Sequence, residues 1–141
     1  MTTKQFTCMI VLCVLSLTAG ACGITKHKQN AEKGVAKFHQ QLNDEQYHEI
    51  YVQSDKLFQQ SATEADVVAL FGAVHAKLGT VKNATAQGWH VNATPQGTFV
   101  TLGYDVEFSE GKGVEQFVFK MNGSEPLLFN YNVNSPLLIT K

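Results

Sequence analysis

Few side chains in this sequence have the type and spacing to do chemistry, and Cys22 has the clearest claim. The chain has 141 residues and 3 cysteines. Cys8 and Cys13 lie in an almost wholly apolar run, Phe6 to Thr18, which follows Lys4 and precedes the small residues Ala19-Gly20-Ala21. A positive start, a short apolar stretch and a small-residue cleavage site are the parts of a secretory signal. The run falls short of the roughly 20 apolar residues that a spanning helix needs. Residues 1–21 are therefore expected to be removed, leaving Cys22 as the sole thiol. A lone exported cysteine has no disulfide partner in its own chain and suggests intermolecular pairing or a reactive thiol.

The other chemistry-bearing types are sparser. The 5 histidines, His27, His39, His48, His75 and His90, show neither His-x-x-x-His nor His-Glu-x-x-His spacing, so no metal site is expected. His39 and His75 flank apolar stripes and would meet only if two helices pack. Gly111-x-Gly113 is too short a signal for a phosphate loop, and Ser61 is read as a helix cap rather than a nucleophile. No cofactor follows from these residues. All 11 basic residues are lysines, and net charge is −1. Without arginine, the usual fork for phosphates and bases, and without a basic cluster, nucleic acid is excluded as a partner.

The elements that must position these groups follow from periodicity. One domain is expected over 31–141, after a polar tether over 22–30. Ala31, Val35, Phe38 and Leu42 recur at helical spacing. Asn43-Asp44 breaks that helix, and Asp44 is placed to cap a second one carrying Tyr47, Ile50 and Tyr51 on one face. Ser54-Asp55 reads as a turn. Ser61-Ala62-Thr63-Glu64 has capping-box spacing before the stripe Val67, Leu70, Phe71, Val74 and Leu78, which Gly79 ends. The period then changes to 2. Strands are predicted over Val81 to Ala93 (interrupted near Gln87-Gly88), Val100 to Phe108, Glu115 to Met121 and Leu127 to Val133. Turns at Thr94-Pro95-Gln96-Gly97, Glu110-Gly111-Lys112-Gly113 and Asn122-Gly123 separate them. Helices first and an antiparallel meander after them imply an α+β fold, with the helices on one face of a curved sheet.

Two resemblances extend this reading. Ala19-Gly20-Ala21-Cys22 resembles the lipobox of bacterial lipoproteins, where signal peptidase II cuts before a diacylated cysteine. Gly23 stands where aspartate would mark inner-membrane retention, so the resemblance implies an outer-membrane anchor facing the periplasm. Several acyl chains are needed to hold it, since a single one binds only reversibly. The order of elements resembles the cone-shaped nuclear transport factor 2-like (cystatin-like) fold. More closely, it is similar to a family of envelope proteins, domain of unknown function 4019. That likeness rests on Leu78-Gly79, Gln96-Gly97-Thr98-Phe99-Val100, Tyr104-Asp105-Val106-Glu107-Phe108, Lys112, Val114-Glu115 and Asn130-Tyr131. The family brings no established catalytic residues.

Enzymes with the cone fold place an acidic base and an oxyanion donor inside it. On that pattern Tyr104 is the donor candidate, because alternation sets it with Val100, Leu102, Val106 and Phe108. Asp105 and Glu107 take the opposite face, which leaves only Asp55, from outside the strand, as a base. Trp89 and Tyr131 complete a candidate pocket with Tyr104. Phe117, Phe119 and Met121 share one face of the third strand and Val118 takes the other. An apolar face there is expected to seat a second copy or an envelope protein. The sequence thus predicts a lipid-anchored periplasmic module for binding or accessory work. The alternative is a small enzyme or ligand-binding protein that uses a cone cavity around Tyr104.

Overall fold

The structure, a computed structural model, describes residues 19–139. Up to Thr18, the apolar stretch expected as a signal, with Lys4, Cys8 and Cys13, lies outside the described residues. Helix α1 runs over Ala19–Asn43, followed by α2 (Tyr47–Val52), α3 (Lys56–Ser61) and α4 (Glu64–Leu78). Strands β1 (Val81–Thr94), β2 (Gly97–Phe108), β3 (Lys112–Asn122) and β4 (Glu125–Asn134) come next, and a single turn, α5 (Pro136–Ile139), ends the chain's described part. The four strands form one antiparallel meander in the order β1-β2-β3-β4. This is the α+β architecture expected, with helices on one sheet face.

Helix α1 crosses all four strands. Its stripe Ala31, Val35, Phe38 and Leu42 is buried, as the 3.6 period demands. Gly34 lies on the same side, and a Cβ there would come within 2.9 Å of the Phe119 ring. The glycine lets the helix seat close to β3. The segment 22–30, expected as a tether, is instead part of this helix. It contains no proline, and Lys28 and Glu32 form an i,i+4 ion pair of 2.7 Å that helps carry the helix through it. Among the described residues no helix is long and apolar enough to cross a membrane.

The short helices correct three capping assignments. The N-cap of α2 is Gln46, not Asp44, because Glu45 turns the chain through a positive φ of 56° first. Asp55 is not a plain turn residue. It caps α3, accepting the Leu57 N–H at 2.9 Å. Thr63 rather than Ser61 caps α4, with Oγ1 accepting from Asp66 N–H and donating to its carboxylate. Ser61 donates to the carbonyl of Phe58. The other end of α4 is as expected: Gly79 has φ of 76° and its N–H closes on His75 O at 2.8 Å.

Extra residues bend the sheet. Lys82 and Gln87 are bulged out of β1, the second at the interruption seen in the sequence, and Phe129 is bulged out of β4. The Phe129 bulge breaks the expected alternation of the fourth strand. Leu128 turns inward beside Phe119, while Phe129 meets Phe99 at a ring separation of 5.0 Å, away from the helices. The core holds Phe38, Phe71, Val100, Leu102, Val106 and Phe117 between the sheet and the helices.

Phe117 and Phe119, expected on an uncovered face, are 0% and 3% exposed. They stand opposite Leu102 and Val100, so the pleat sends them under α1 with the rest of the core. The face left uncovered carries Val114, Gln116, Val118 and Lys120 of β3 instead.

Candidate functional site

The same pleat that buries Phe117 buries Glu115 two residues earlier. Its side chain has no solvent exposure. Glu115 of β3 stands directly opposite Tyr104 of β2, so the carboxylate missing from the face of β2 comes from the neighbouring strand. His39, one helical turn after Val35, reaches it from above, with Nε2 2.6 Å from one carboxylate oxygen. Tyr131 of β4 donates its hydroxyl to the other oxygen at 2.7 Å. Three elements thus meet at one buried acid.

A carboxylate oxygen accepts, so the imidazole is placed to donate from Nε2 to one oxygen while the Tyr131 hydroxyl supplies the other. Both oxygens are occupied, which is what makes a buried carboxylate tolerable. The packing around the trio is aromatic. The His39 ring lies 5.6 Å from Phe117 and 6.5 Å from Tyr104, and Tyr131 lies 4.7 Å from Phe38 and 5.2 Å from Phe117. Burial, reinforced by the charge and hydrogen bond of Glu115, holds the Tyr131 phenol well above its ordinary range. Burial, with the charge of Glu32, also raises Tyr104. Both phenols therefore keep their protons, and the Tyr131 hydroxyl donates to Glu115.

Chemically, a desolvated carboxylate beside an imidazole and two phenols is the raw material of proton transfer. Here it is sealed. Phe38, Phe71 and Phe117 occupy the interior, Tyr131 packs half-buried against them, and Glu115 meets no solvent. The remaining candidates lie apart. Asp55 is engaged as the α3 cap, donates its N–H to Leu128 O, and its carboxylate lies 3.9 Å from Lys120 Nζ. Trp89 faces the helix side beside Leu102 but at the rim, 50% exposed, with Lys28 Nζ 5.8 Å from its ring centroid. Of the candidate pocket residues, Tyr104 and Tyr131 border the acid and Trp89 does not.

The histidines also separate. His75 and the Tyr47 hydroxyl lie 3.0 Å apart, and His48 pairs with Glu64 at the surface. His39 and His75 keep different partners. His27, now helical, has its Nδ1 buried without a hydrogen bond, as has the Asn30 amide nitrogen one turn on. Among the described residues no three His, Cys, Asp or Glu gather as ligands for a metal. Cys22 is exposed and free near the start of α1.

An open site exists on the opposite sheet face. A groove of about 700 Å³ runs across the strands, lined by Thr85, Asp105, Glu107, Lys112 and Val114, and by Ile139 of α5. Its size is that of a small-ligand or side-chain pocket. Val114 is 53% and Ile139 80% exposed, and Lys112 Nζ lies 3.5 Å from Glu107. Sequence reasoning had the outward positions of Asp105 and Glu107 but not α5, the element that walls the groove.

A search of curated proteins finds no match to this sequence. A family model does match over residues 35–125, a span that includes His39, Tyr104 and Glu115 but ends before Tyr131. The chain belongs to the family described as protein of unknown function DUF4019.

Proposed function

We propose that this chain is a lipid-anchored envelope protein, held at Cys22 in the outer membrane and facing the periplasm, whose domain is a binding module rather than an enzyme. One observation carries the choice: the acid that could do chemistry is sealed, while a groove of about 700 Å³ stands open on the uncovered sheet face. The nuclear transport factor 2-like likeness fits this reading, since helices over one face of a curved sheet leave the other free. The anchor rests on the apolar leader, on the small residues before Cys22 and on that cysteine being free and exposed.

Two measurements test the proposal. Mass spectrometry of the mature protein should find an acylated Cys22 at the N-terminus, and Cys22→Ala should release the protein from membranes. An unmodified Cys22 refutes the anchor. Affinity capture from envelopes should recover a partner with the wild-type chain and lose it with Val114→Asp or Lys112→Glu. Equal recovery with these variants removes the groove from the proposal.

A second reading, a small enzyme or ligand-binding protein using the interior around Tyr104, has one observation in its favour: Tyr104 stands opposite Glu115. It requires α1 to lift from the sheet. Hydrogen exchange that opens α1 far more readily than β2 and β3 would favour it; exchange of all three only by global unfolding would end it.

A further inference from the structure

We propose that β1 pairs edge to edge with β1 of a second copy of this chain, joining two four-stranded sheets into one. The proposal starts from the two ends of the meander. A sheet edge presents unpaired N–H and C=O groups, and soluble proteins guard such edges with charge, proline, bulges or a covering segment. The β4 edge is guarded. Pro126 stands near its start, Phe129 is bulged out of its middle, and Asp55 N–H bonds Leu128 O at 2.9 Å while α3 packs against it.

Among the described residues the β1 edge has no such guard along its second half. Both bulges, Lys82 and Gln87, fall before Gly88, and from there to Thr94 the strand pairs with β2 without a break. That run, Gly88-Trp89-His90-Val91-Asn92-Ala93-Thr94, contains no Asp, Glu, Lys or Arg and no proline. It is also the part of the sheet where a large apolar side chain is left at the rim, with Trp89 50% exposed. An open hydrogen-bonding edge and a half-exposed aromatic, met on one side by Lys28 Nζ at 5.8 Å, on the same residues describe a strand-addition site.

The occupant follows from charge and symmetry. A second copy related by a twofold axis would lay the same run antiparallel on itself, so each side chain meets one from the same set. The only charged residue of β1, Lys82, lies outside the run, so no like charges oppose one another in the pairing. On the helix side, Trp89, Val91 and Ala93 would face Trp89, Val91 and Ala93 of the second copy, giving the aromatic and β-branched cross-strand neighbours that stabilise paired strands. Antiparallel pairing with a second copy therefore covers the exposed part of the indole and completes the ladder with no charged strand residue opposed to another, Lys28 beside Trp89 being paired with Glu32.

The test is the mass of the full chain in detergent by light scattering. A dimer is expected for the wild type, and a halved mass for the double variant His90→Lys/Asn92→Lys, which places lysines along the edge on the exposed side. The matching change on the guarded edge, Asn130→Lys/Asn132→Lys, should remain a dimer. A circular dichroism melt verifies that both variants fold. Independently of any variant, the amides of residues 88–94 in the wild type should exchange more slowly as protein concentration rises. A monomeric wild type overturns the proposal, as does a dimer that survives the β1 lysines with no concentration-dependent protection of 88–94.

Discussion

The two faces of one sheet solve opposite problems with the same alternation. On the helix side, β2 and β3 present Leu102, Tyr104, Val106, Glu115 and Phe117, all buried, with the one acid holding a donor on each oxygen. On the other side the same strands present Asp105, Glu107, Val114 and Gln116 to solvent, with a groove left between them. A carboxylate under the helices needs protein donors, as Glu115 has on both oxygens, because water does not reach it. A polar group on the uncovered face has water and so remains available. The difference teaches that the chemically richest cluster here is shut in by packing, while the plainer surface is the part that solvent reaches.

The largest effect that tests this contrast is loss of His39. His39→Leu leaves a buried carboxylate with one donor fewer, and such a change costs about 3–5 kcal/mol. Urea unfolding should show it as a lower midpoint at unchanged slope. The triple replacement His39→Leu, Glu115→Met and Tyr131→Phe removes the charge along with both of its donors and should return stability to within about 1–2 kcal/mol of wild type. A single variant as stable as wild type would mean that the trio fastens nothing.

Tyr131→Phe comes next, since His39 still holds the acid. Removing one donor from a buried acceptor costs about 1–3 kcal/mol. The variant should also change the alkaline limb of the stability curve. The Tyr131 phenol is raised above its ordinary value of 10.0 in the folded chain. As pH climbs past that value the unfolded chain loses the proton first, so wild-type stability falls from there upward. Chemical unfolding from neutral pH to above 10 should show a shallower decline in Tyr131→Phe, and parallel curves would assign the alkaline loss to other groups.

Much of this division was legible in the chain. The change of period at Gly79, the four strands and the bulge near Gln87 follow from local pattern and turn chemistry. Helix α3 was not visible, because six residues make no stripe and its stability comes from the Asp55 cap and contact with β4. The burial of Phe117 and Phe119 needed the register of β3 against β2, which decides the face that both strands share. Glu115 shares the face of Phe117, two residues on, so its burial was hidden together with theirs. Its partners were hidden too, since His39 is 76 positions away and Tyr131 comes from another strand. No local spacing encodes a contact of that range.

The smallest expected effect is the most discriminating, because it asks whether the uncovered face matters to the fold at all. Val114 neighbours Glu115 in sequence yet points into the groove, 53% exposed. Val114→Thr keeps the shape and the β preference of the side chain and buries no new polar group. Stability should therefore change by no more than about 0.5 kcal/mol, the range of a surface substitution away from any special feature. A measured loss above about 1–2 kcal/mol would show that the groove residues belong to the core's stability, and the division between a fastened face and an available one would fail at adjacent residues. If the fold is indifferent to Val114→Thr while Val114→Asp abolishes capture of an envelope partner, the exposed valine is retained for what it contacts outside the chain.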